Sequence, residues 1–132
     1  MYTTPWFRNW LAGKIAEEAP TLSLHTDVPG DDGTAGELAT GGGGNYARKA
    51  LAAADITVEA DGAQADNAAD IEHFTPNAAS AGAAVTHVGY WFGANFAGWS
   101  ALRRPQDTIA GDPFVIVAGT AGFEVKPPAE PG

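Results

Sequence analysis

The spacing of apolar residues changes from helical to alternating after residue 20, and this change limits the folds that the chain can adopt. Thr4 and Pro5 are typical of a helix N-cap and of the first helical position, where the missing N–H of proline costs nothing. Pro20 would end that helix. Between these bounds, large apolar residues recur at helical spacing at Phe7, Trp10, Leu11 and Ile15. The sequence therefore predicts one N-terminal helix whose apolar stripe faces the core or a neighbouring subunit.

From residue 21 onward, apolar and polar side chains alternate as they do in half-buried strands. Leu22 and Leu24 alternate with Ser23 and His25, and similar short segments recur between glycine, proline, asparagine and aspartate residues. We predict further strands at 45–51, 54–59, 69–74, 84–92, 96–103, 107–110, 113–118 and 122–126. One helix followed by many short strands predicts an all-β fold, a β-sandwich or jelly-roll-like domain with one N-terminal α-helix.

The same alternation predicts the core and the domain organisation. A chain of 132 residues is long enough for one domain and too short for two ordinary ones. We expect one domain over residues 1–132, with a helix or arm at 1–20, a β-sandwich at 21–126 and an extended tail at 127–132. The residues predicted to point inwards are Leu22, Leu24, Tyr46, Ile56, Val58, Val88, Tyr90, Ile109, Phe114, Ile116 and Val125.

Charge and composition argue against several classes of partner. The formal net charge is −9, whereas binding to nucleic-acid phosphates needs a basic face. Charged side chains interrupt the N-terminal apolar stretch, so we expect no signal peptide, and no run of about 18 apolar residues is present for a membrane helix. The chain has no cysteine, which excludes disulfides and thiolate metal sites. We therefore expect neither nucleic acid nor a membrane as a partner.

Four consecutive glycines stand in TGGGGNYARKAL, residues 40–51, and suggest a phosphate-binding loop at first sight. Such a loop needs a helix directly after the glycines and usually a Lys–Ser/Thr pair, but Asn45, Tyr46 and Ala47 follow here. A flexible turn that leads into a strand near Tyr46 explains the glycines better. We expect Tyr46 to pack inwards and Arg48 to point to the opposite face.

An acidic loop offers oxygen ligands of the kind that calcium prefers. Its spacing does not fit an EF-hand, so we interpret it as a solvated turn and keep bound calcium as the alternative. The candidate ligands are Asp27, Asp31, Asp32 and Glu37.

Histidine and serine patterns do not support a catalytic or metal site. His25, His73 and His87 are isolated from one another in the sequence, and a lone strand histidine is usually at the surface or hydrogen-bonded. Ser100 stands in GWSAL and lacks the G-x-S-x-G pattern of a nucleophile elbow. We therefore predict no catalytic residue, no metal site, no cofactor and no enzymatic activity.

An aromatic hairpin is predicted in THVGYWFGANFAGWSAL, residues 86–102, around Gly93 and Asn95. The preferred interpretation is core packing, because long aliphatic residues are scarce in this chain. The alternative is a set of exposed rings that stack on sugars. The rings are Tyr90, Trp91, Phe92, Phe96 and Trp99.

Four motifs in a fixed order make the chain similar to a known family. NWLAGKIAEE is followed by LSLHTDVPGDDGTAGEL, by GGGGNYARKAL and by VTHVGYWF, and a hairpin with a Gly-Asp turn comes last. This order, over residues 9–126, resembles a family of small tailed-bacteriophage virion proteins with the pattern LHTxxPGDDGT…GGGxYAR…VTHxG. The residues that carry the resemblance are His25, Pro29, Gly30, Asp31, Asp32, Gly33, Gly42, Gly43, Gly44, Tyr46, Ala47, Arg48, Thr86, His87 and Gly89. The chain departs from the pattern by an inserted Asn45 and by a more aromatic hairpin.

The resemblance implies a structural role in a virion and no catalysis, since members are described as tail fibre, minor capsid or decoration proteins. The chain lacks the heptads, repeated β-motifs and glycine triplets that build long fibres. We therefore expect a capsid decoration protein on the head surface, made in the host cytoplasm and bound to the major capsid protein lattice. The alternative is a tail fibre or a tail- or baseplate-attached domain that binds tail proteins. A third candidate is a carbohydrate-binding module on the virion.

We also expect a homotrimer, because closed threefold symmetry is common in such proteins. Three features have little use in a free monomer, and we predict that they contact neighbouring subunits. They are the loop at 27–44, the proline-rich end, and the apolar stripe with Phe7, Trp10 and Leu11.

Overall fold

The computed structural model describes residues 4–58, 64–120 and 122–124. Helix α1 spans Pro5–Glu18, and 3-10 turns lie at Ala53–Asp55 and Ala78–Ser80. The strands in the described ranges are β1 (Thr21–His25), β2 (Lys49–Ala50), β3 (Ile56–Val58), β4 (Gln64–Asn67), β5 (Ile71–Phe74), β6 (Ala84–Phe92), β7 (Asn95–Asp107), β8 (Phe114–Ile116) and β9 (Gly122–Glu124).

The strands of the described chain form three antiparallel sheets. The largest has the order β2-β1-β6-β7, the second has the order β3-β4-β9, and β5 and β8 form the third. In the large sheet, Leu22 of β1 lies opposite Tyr90 of β6, and His25 lies opposite His87. These antiparallel sheets with one N-terminal helix confirm the predicted all-β class.

The main core contains side chains of the large sheet and of the β5–β8 pair, together with Tyr46. Ile71 and Val85 belong to it although they were not among the predicted core residues. Each fully buried side chain of this type contributes about 1.5–3 kcal/mol to folding. The predicted core residues that are buried here are Leu22, Leu24, Tyr46, Val88, Tyr90, Phe114 and Ile116.

The rest of the predicted core differs from the structure. Ile109 is 54% exposed, so its assignment to the core is wrong. Its neighbour Thr108 is buried instead, because the Thr108 hydroxyl donates to the carbonyl of Ser80 and accepts from the N–H of Ala83, both at 2.9 Å. Ile56 is only half-buried. The side chains of Val58 and Val125 lie outside the described part of the chain.

Three predicted strands also differ in extent. The predicted strand at 45–51 is reduced to β2 at Lys49–Ala50. The predicted strands at 96–103 and 107–110 are wrong as separate elements, because β7 runs without a break over Asn95–Asp107 and residues 108–110 belong to no strand. A turn follows, in which the N–H of Gly111 donates to the carbonyl of Pro76.

Helix α1 begins at the predicted position but buries a different face. The N–H of Phe7 donates to Oγ1 of the N-cap residue Thr4 at 3.2 Å. The helix packs against β3 and β4 through Ala12 and Ala16, whose small side chains are buried. In the predicted apolar stripe, Trp10 is 46% exposed, whereas Phe7, Leu11 and Ile15 are half-buried. Among the described residues, no helix is both long enough and apolar enough to cross a membrane.

Candidate functional site

Several of the residues that carry the resemblance meet on the side of β1 that faces away from the main core. Ser23 and His25 point to this side, because successive strand residues point to opposite faces. The loop at 26–37 covers them, so β1 is buried on both faces and not half-buried as its alternation predicts. We call the following set the motif cluster: Ser23, His25, Gly33, Glu37, Arg48, Gly89 and Trp91, together with Tyr46, whose ring belongs to the main core and whose hydroxyl reaches Glu37.

His25 lies at the centre of the motif cluster, and both of its ring nitrogens have partners. Nδ1 lies 2.8 Å from the carbonyl oxygen of Ala35, which can only accept, so Nδ1 carries the proton. Nε2 therefore accepts from the hydroxyl of Ser23 at 2.7 Å. Ser23 Oγ in turn accepts from the indole Nε1–H of Trp91 at 2.9 Å. This order of donors requires a neutral imidazole, and burial lowers the pKa of His25 accordingly.

The motif cluster has no room for a side chain at Gly89 or at Gly33. A Cβ atom on Gly89 would overlap Ser23 Oγ and would lie 2.9 Å from His25 Nε2. A Cβ atom on Gly33 would overlap the ring of Phe96 and would lie 2.8 Å from Trp91. Gly33 also has a φ of 74°, a left-handed conformation that side chains disfavour. These two glycines allow the loop and β6 to approach β1.

Glu37 connects the loop to the segment after the glycines. Its carboxylate accepts from the Tyr46 hydroxyl at 2.8 Å and from Arg48 through Nε at 2.9 Å and Nη2 at 2.8 Å. The Tyr46 oxygen also accepts from the N–H of Leu24 at 3.0 Å. Burial raises the pKa of Glu37, but the hydrogen bonds from Arg48 and Tyr46 outweigh it, and the net shift is downward. Glu37 is therefore ionised and occupied by these two partners.

Arg48 completes the motif cluster by covering Trp91. Its guanidinium carbon lies 3.8 Å from the centroid of the Trp91 ring, which is a close cation–π contact. Tyr46 is buried as predicted, but the prediction that Arg48 points to the opposite face is wrong. Both side chains reach Glu37, because residues two positions apart in an extended segment lie on the same side. Trp91 is 6% exposed and thus belongs to the interior.

The glycine run forms a turn that is bonded to residues 75–80. Gly42 and Gly43 have φ values of 69° and 85°. Asn45 donates from its N–H to Ser80 Oγ at 2.8 Å and from Nδ2 to the carbonyl of Thr75 at 2.7 Å. Asn77 donates from its N–H to Asn45 Oδ1 and from Nδ2 to the carbonyl of Gly43, both at 3.0 Å. The inserted Asn45 is therefore the residue that holds this turn, and these bonds replace the predicted strand pairing.

Comparison with protein families shows to which family the chain belongs. Residues 6–124 match the family described as podophage GP4 fiber I protein gp80. The chain belongs to this podophage fibre family. A search of curated proteins finds no match. Membership confirms a phage virion protein family, which is the coarser part of the resemblance, and it supports a structural role in a virion and the tail fibre alternative.

The remaining motif residues of this fibre-family chain lie outside the motif cluster. Asp31 and Asp32 are exposed, and Asp32 Oδ1 accepts from the N–H and the hydroxyl of Thr34. His87 lies on β6, where its Nδ1 is 2.7 Å from Thr86 Oγ1 and its ring meets that of Trp99 edge-on. The motif residues that make none of the cluster contacts described above are Phe7, Trp10, Leu11, Pro29, Gly30, Asp31, Asp32, Gly42, Gly43, Gly44, Ala47, Thr86 and His87.

The candidate metal ligands do not come together. Within residues 4–58, 64–120 and 122–124, no three histidine or acidic side chains are close enough to hold a metal ion. Glu37 bonds Arg48 and Tyr46, and Asp27 Oδ1 accepts from the N–H of Val28 at 2.8 Å. The Ser23–His25 pair has hydrogen-bond geometry suited to a nucleophile and a base, but both residues are 0% exposed. The hydrogen bonds of this enclosed pair hold the loop against β1.

The sequence alone did not indicate that three residues belong to the motif cluster, namely Ser23, Glu37 and Trp91. It also missed His73, which is buried with Nε2 2.9 Å from the carbonyl oxygen of Leu22 and whose ring stacks on Tyr46. Burial lowers the pKa of His73. No local signal identifies these residues, because their partners are distant in sequence. The one usable hint was that Glu37 lies inside LSLHTDVPGDDGTAGEL, one of the segments that carry the resemblance.

Proposed function

We propose that this chain is a non-catalytic structural subunit of a podophage tail fibre. The observation that carries the proposal is the match of residues 6–124 to a podophage fibre family. The motif cluster supports it, because its hydrogen bonds hold surface loops in place without forming an accessible reaction site. A decoration protein on the head was the first expectation from sequence, and the family match favours the tail fibre alternative over it.

Location on the particle tests this proposal. Antibody fragments raised against the purified protein and labelled with gold would be bound to intact virions and viewed by electron microscopy. We expect labels at the tail and none on the head surface. Labels spread over the head would contradict the tail fibre assignment and support decoration. Virions that lack the gene product provide the control for antibody specificity.

The N-terminal half of α1 is the proposed contact between copies in a homotrimer. Trp6 is 71% exposed and Trp10 is 46% exposed, and the rings of Phe7 and Trp10 stack with centroids 5.9 Å apart. Clustered exposed aromatic side chains are typical of interaction surfaces. The helix is fastened to the domain through Ala12 and Ala16, which leaves these rings free to contact a second copy.

Light scattering of the purified protein tests this contact. We expect a trimer mass for the natural protein and a monomer mass for Trp6→Ser/Trp10→Ser. Trp99→Ser is the matched control, because Trp99 is 45% exposed on β7, far from the helix in sequence, and this variant should stay trimeric. A monomeric natural protein, or a double variant that stays trimeric, would contradict the proposed contact.

Sugar binding is a second candidate function, and the exposed Trp99 favours it. The His87 ring contacts Trp99 edge-on at a centroid distance of 5.3 Å, which would hold the indole for stacking on a sugar. Trp91 cannot take part, because Arg48 covers it. Glycan-array binding that is lost in Trp99→Ala and kept in Trp10→Ala would support this candidate. Equal binding by both variants would contradict sugar binding at Trp99.

A further inference from the structure

Strand β7 contains a large interruption of its ladder at LRRP, residues 102–105. Val85 of β6 pairs with Gln106, whereas His87 pairs with Ala101. Two steps along β6 thus correspond to five steps along β7, and residues 102–105 have no ladder partner. Bulges re-aim side chains and are common beside functional sites. Since β7 is an edge strand of its sheet in the described chain, this bulge lies at an open side of the protein.

The bulge forms one wall of a surface groove of 430 Å³. This wall contributes Arg103 and Arg104, and the opposite wall is β8 with the residues that follow it, including Val115 and Val117. β8 is also an edge strand, because it pairs with β5 alone among the described strands. The groove therefore lies between the bulge of β7 and the segment 115–120, which begins in β8 and continues past its end at Ile116.

The two arginines at the groove have no acidic partner in the described part of the chain. Arg103 and Arg104 are both exposed, and neither forms a salt bridge or side-chain hydrogen bond with another described residue. By contrast, Arg48 pairs with Glu37 and Lys14 pairs with Glu17. In a chain of net charge −9, two adjacent arginines without a carboxylate leave a local positive charge. A guanidinium group is suited to bidentate binding of a carboxylate.

We propose that this groove binds an extended acidic peptide segment of a partner protein. A strand places alternate side chains on opposite sides. A peptide in the groove can therefore direct its carboxylates to Arg103 and Arg104 and its apolar side chains to Val115 and Val117. Addition of an extended segment to a free strand edge is an established mode of peptide recognition. The groove does not overlap the helix surface proposed for trimer contacts, so the two proposals stand separately.

Fluorescence anisotropy with a labelled five-residue peptide that alternates valine and glutamate tests the groove. We expect saturable binding that weakens at least about tenfold in Arg103→Gln/Arg104→Gln, given that hydrogen bonds to charged groups are worth about 1.5–3 kcal/mol. Val117→Asp, on the opposite wall, should weaken binding because it places a carboxylate against the apolar side chains of the peptide. Lys49→Gln removes an exposed positive charge from β2 and should leave the affinity unchanged. All four side chains are exposed, and circular dichroism would verify that each variant is folded.

Several results would overturn the proposal. No binding to the natural protein would do so, as would equal affinity for a peptide in which glutamine replaces glutamate. An affinity that Arg103→Gln/Arg104→Gln leaves unchanged would show that the arginines are not the site. Displacement of the peptide by glucuronate at the same concentration as by unlabelled peptide would show that the groove selects a small sugar acid.

Discussion

Replacement of Gly89 by alanine is the sharpest test of the motif cluster. The change adds one methyl group between Ser23 and His25, where the added Cβ atom would overlap Ser23 Oγ and approach His25 Nε2 to 2.9 Å. Gly89 does not have a positive φ, so backbone strain is not involved. The predicted effect therefore comes from lack of space alone.

The expected loss of stability has two parts. Overpacking of a dense interior costs about 1–3 kcal/mol. Ser23 would have to move, which would lengthen its hydrogen bonds with His25 and Trp91, at about 1 kcal/mol each. The free energy of unfolding should therefore fall by about 3–5 kcal/mol, a large share of the about 5–15 kcal/mol that is usual for a domain. At about 3–5 °C per kcal/mol for a chain of this size, the melting temperature should fall by at least about 10 °C.

Urea unfolding followed by tryptophan fluorescence would measure this loss. Gly13→Ala is the matched control, because no atom lies within 4 Å of an added Cβ atom there and alanine favours the helix by about 1 kcal/mol. A Ser23→Ala/Gly89→Ala double variant should lose less than the sum of the single variants, since the first change removes the overlapping oxygen. An unfolding free energy for Gly89→Ala within about 0.5 kcal/mol of the natural protein would refute the argument.

Three further predictions concern the same region. His25 and His73 have pKa values below 6.5 in the folded protein, so the unfolded chain binds more protons below that pH, and each histidine should reduce stability by up to about 1.4 kcal/mol per pH unit as the pH falls. A urea midpoint that is unchanged between about pH 7.5 and about pH 5.5 would contradict their neutral, buried state. Tyr46→Phe removes the acceptor of the Leu24 N–H and should cost about 1–3 kcal/mol in urea unfolding, and a cost near zero would mean that water replaces the hydroxyl. Arg48→Met should expose Trp91 to solvent and raise its accessibility to acrylamide quenching, whereas unchanged quenching would show that the guanidinium does not cover the ring.

The sequence by itself determined the features that depend on neighbouring residues. Thr4 and Pro5 specify the helix start through local capping. The spacing of two between Leu22 and Leu24, and between Val88 and Tyr90, specifies the faces of β1 and β6 that form the core. The all-β class follows from such local periods. Motif spacing also identified a phage virion family before any contact was known, because it depends on the order of residues along the chain alone.

The tertiary structure alone decided which residues meet. Trp91 donates to Ser23 across 68 positions, and Asn45 donates to Thr75 across 30, and no local pattern encodes these distances. For the same reason, alternation could not show that a loop covers the second face of β1. Apolar spacing also could not show that α1 buries its alanines while Trp10 faces solvent, because helical periodicity alone does not determine which face of the helix packs against a sheet. Burial and hydrogen-bond satisfaction are properties of the whole packed chain, and they set the positions of His25, Glu37 and Arg48.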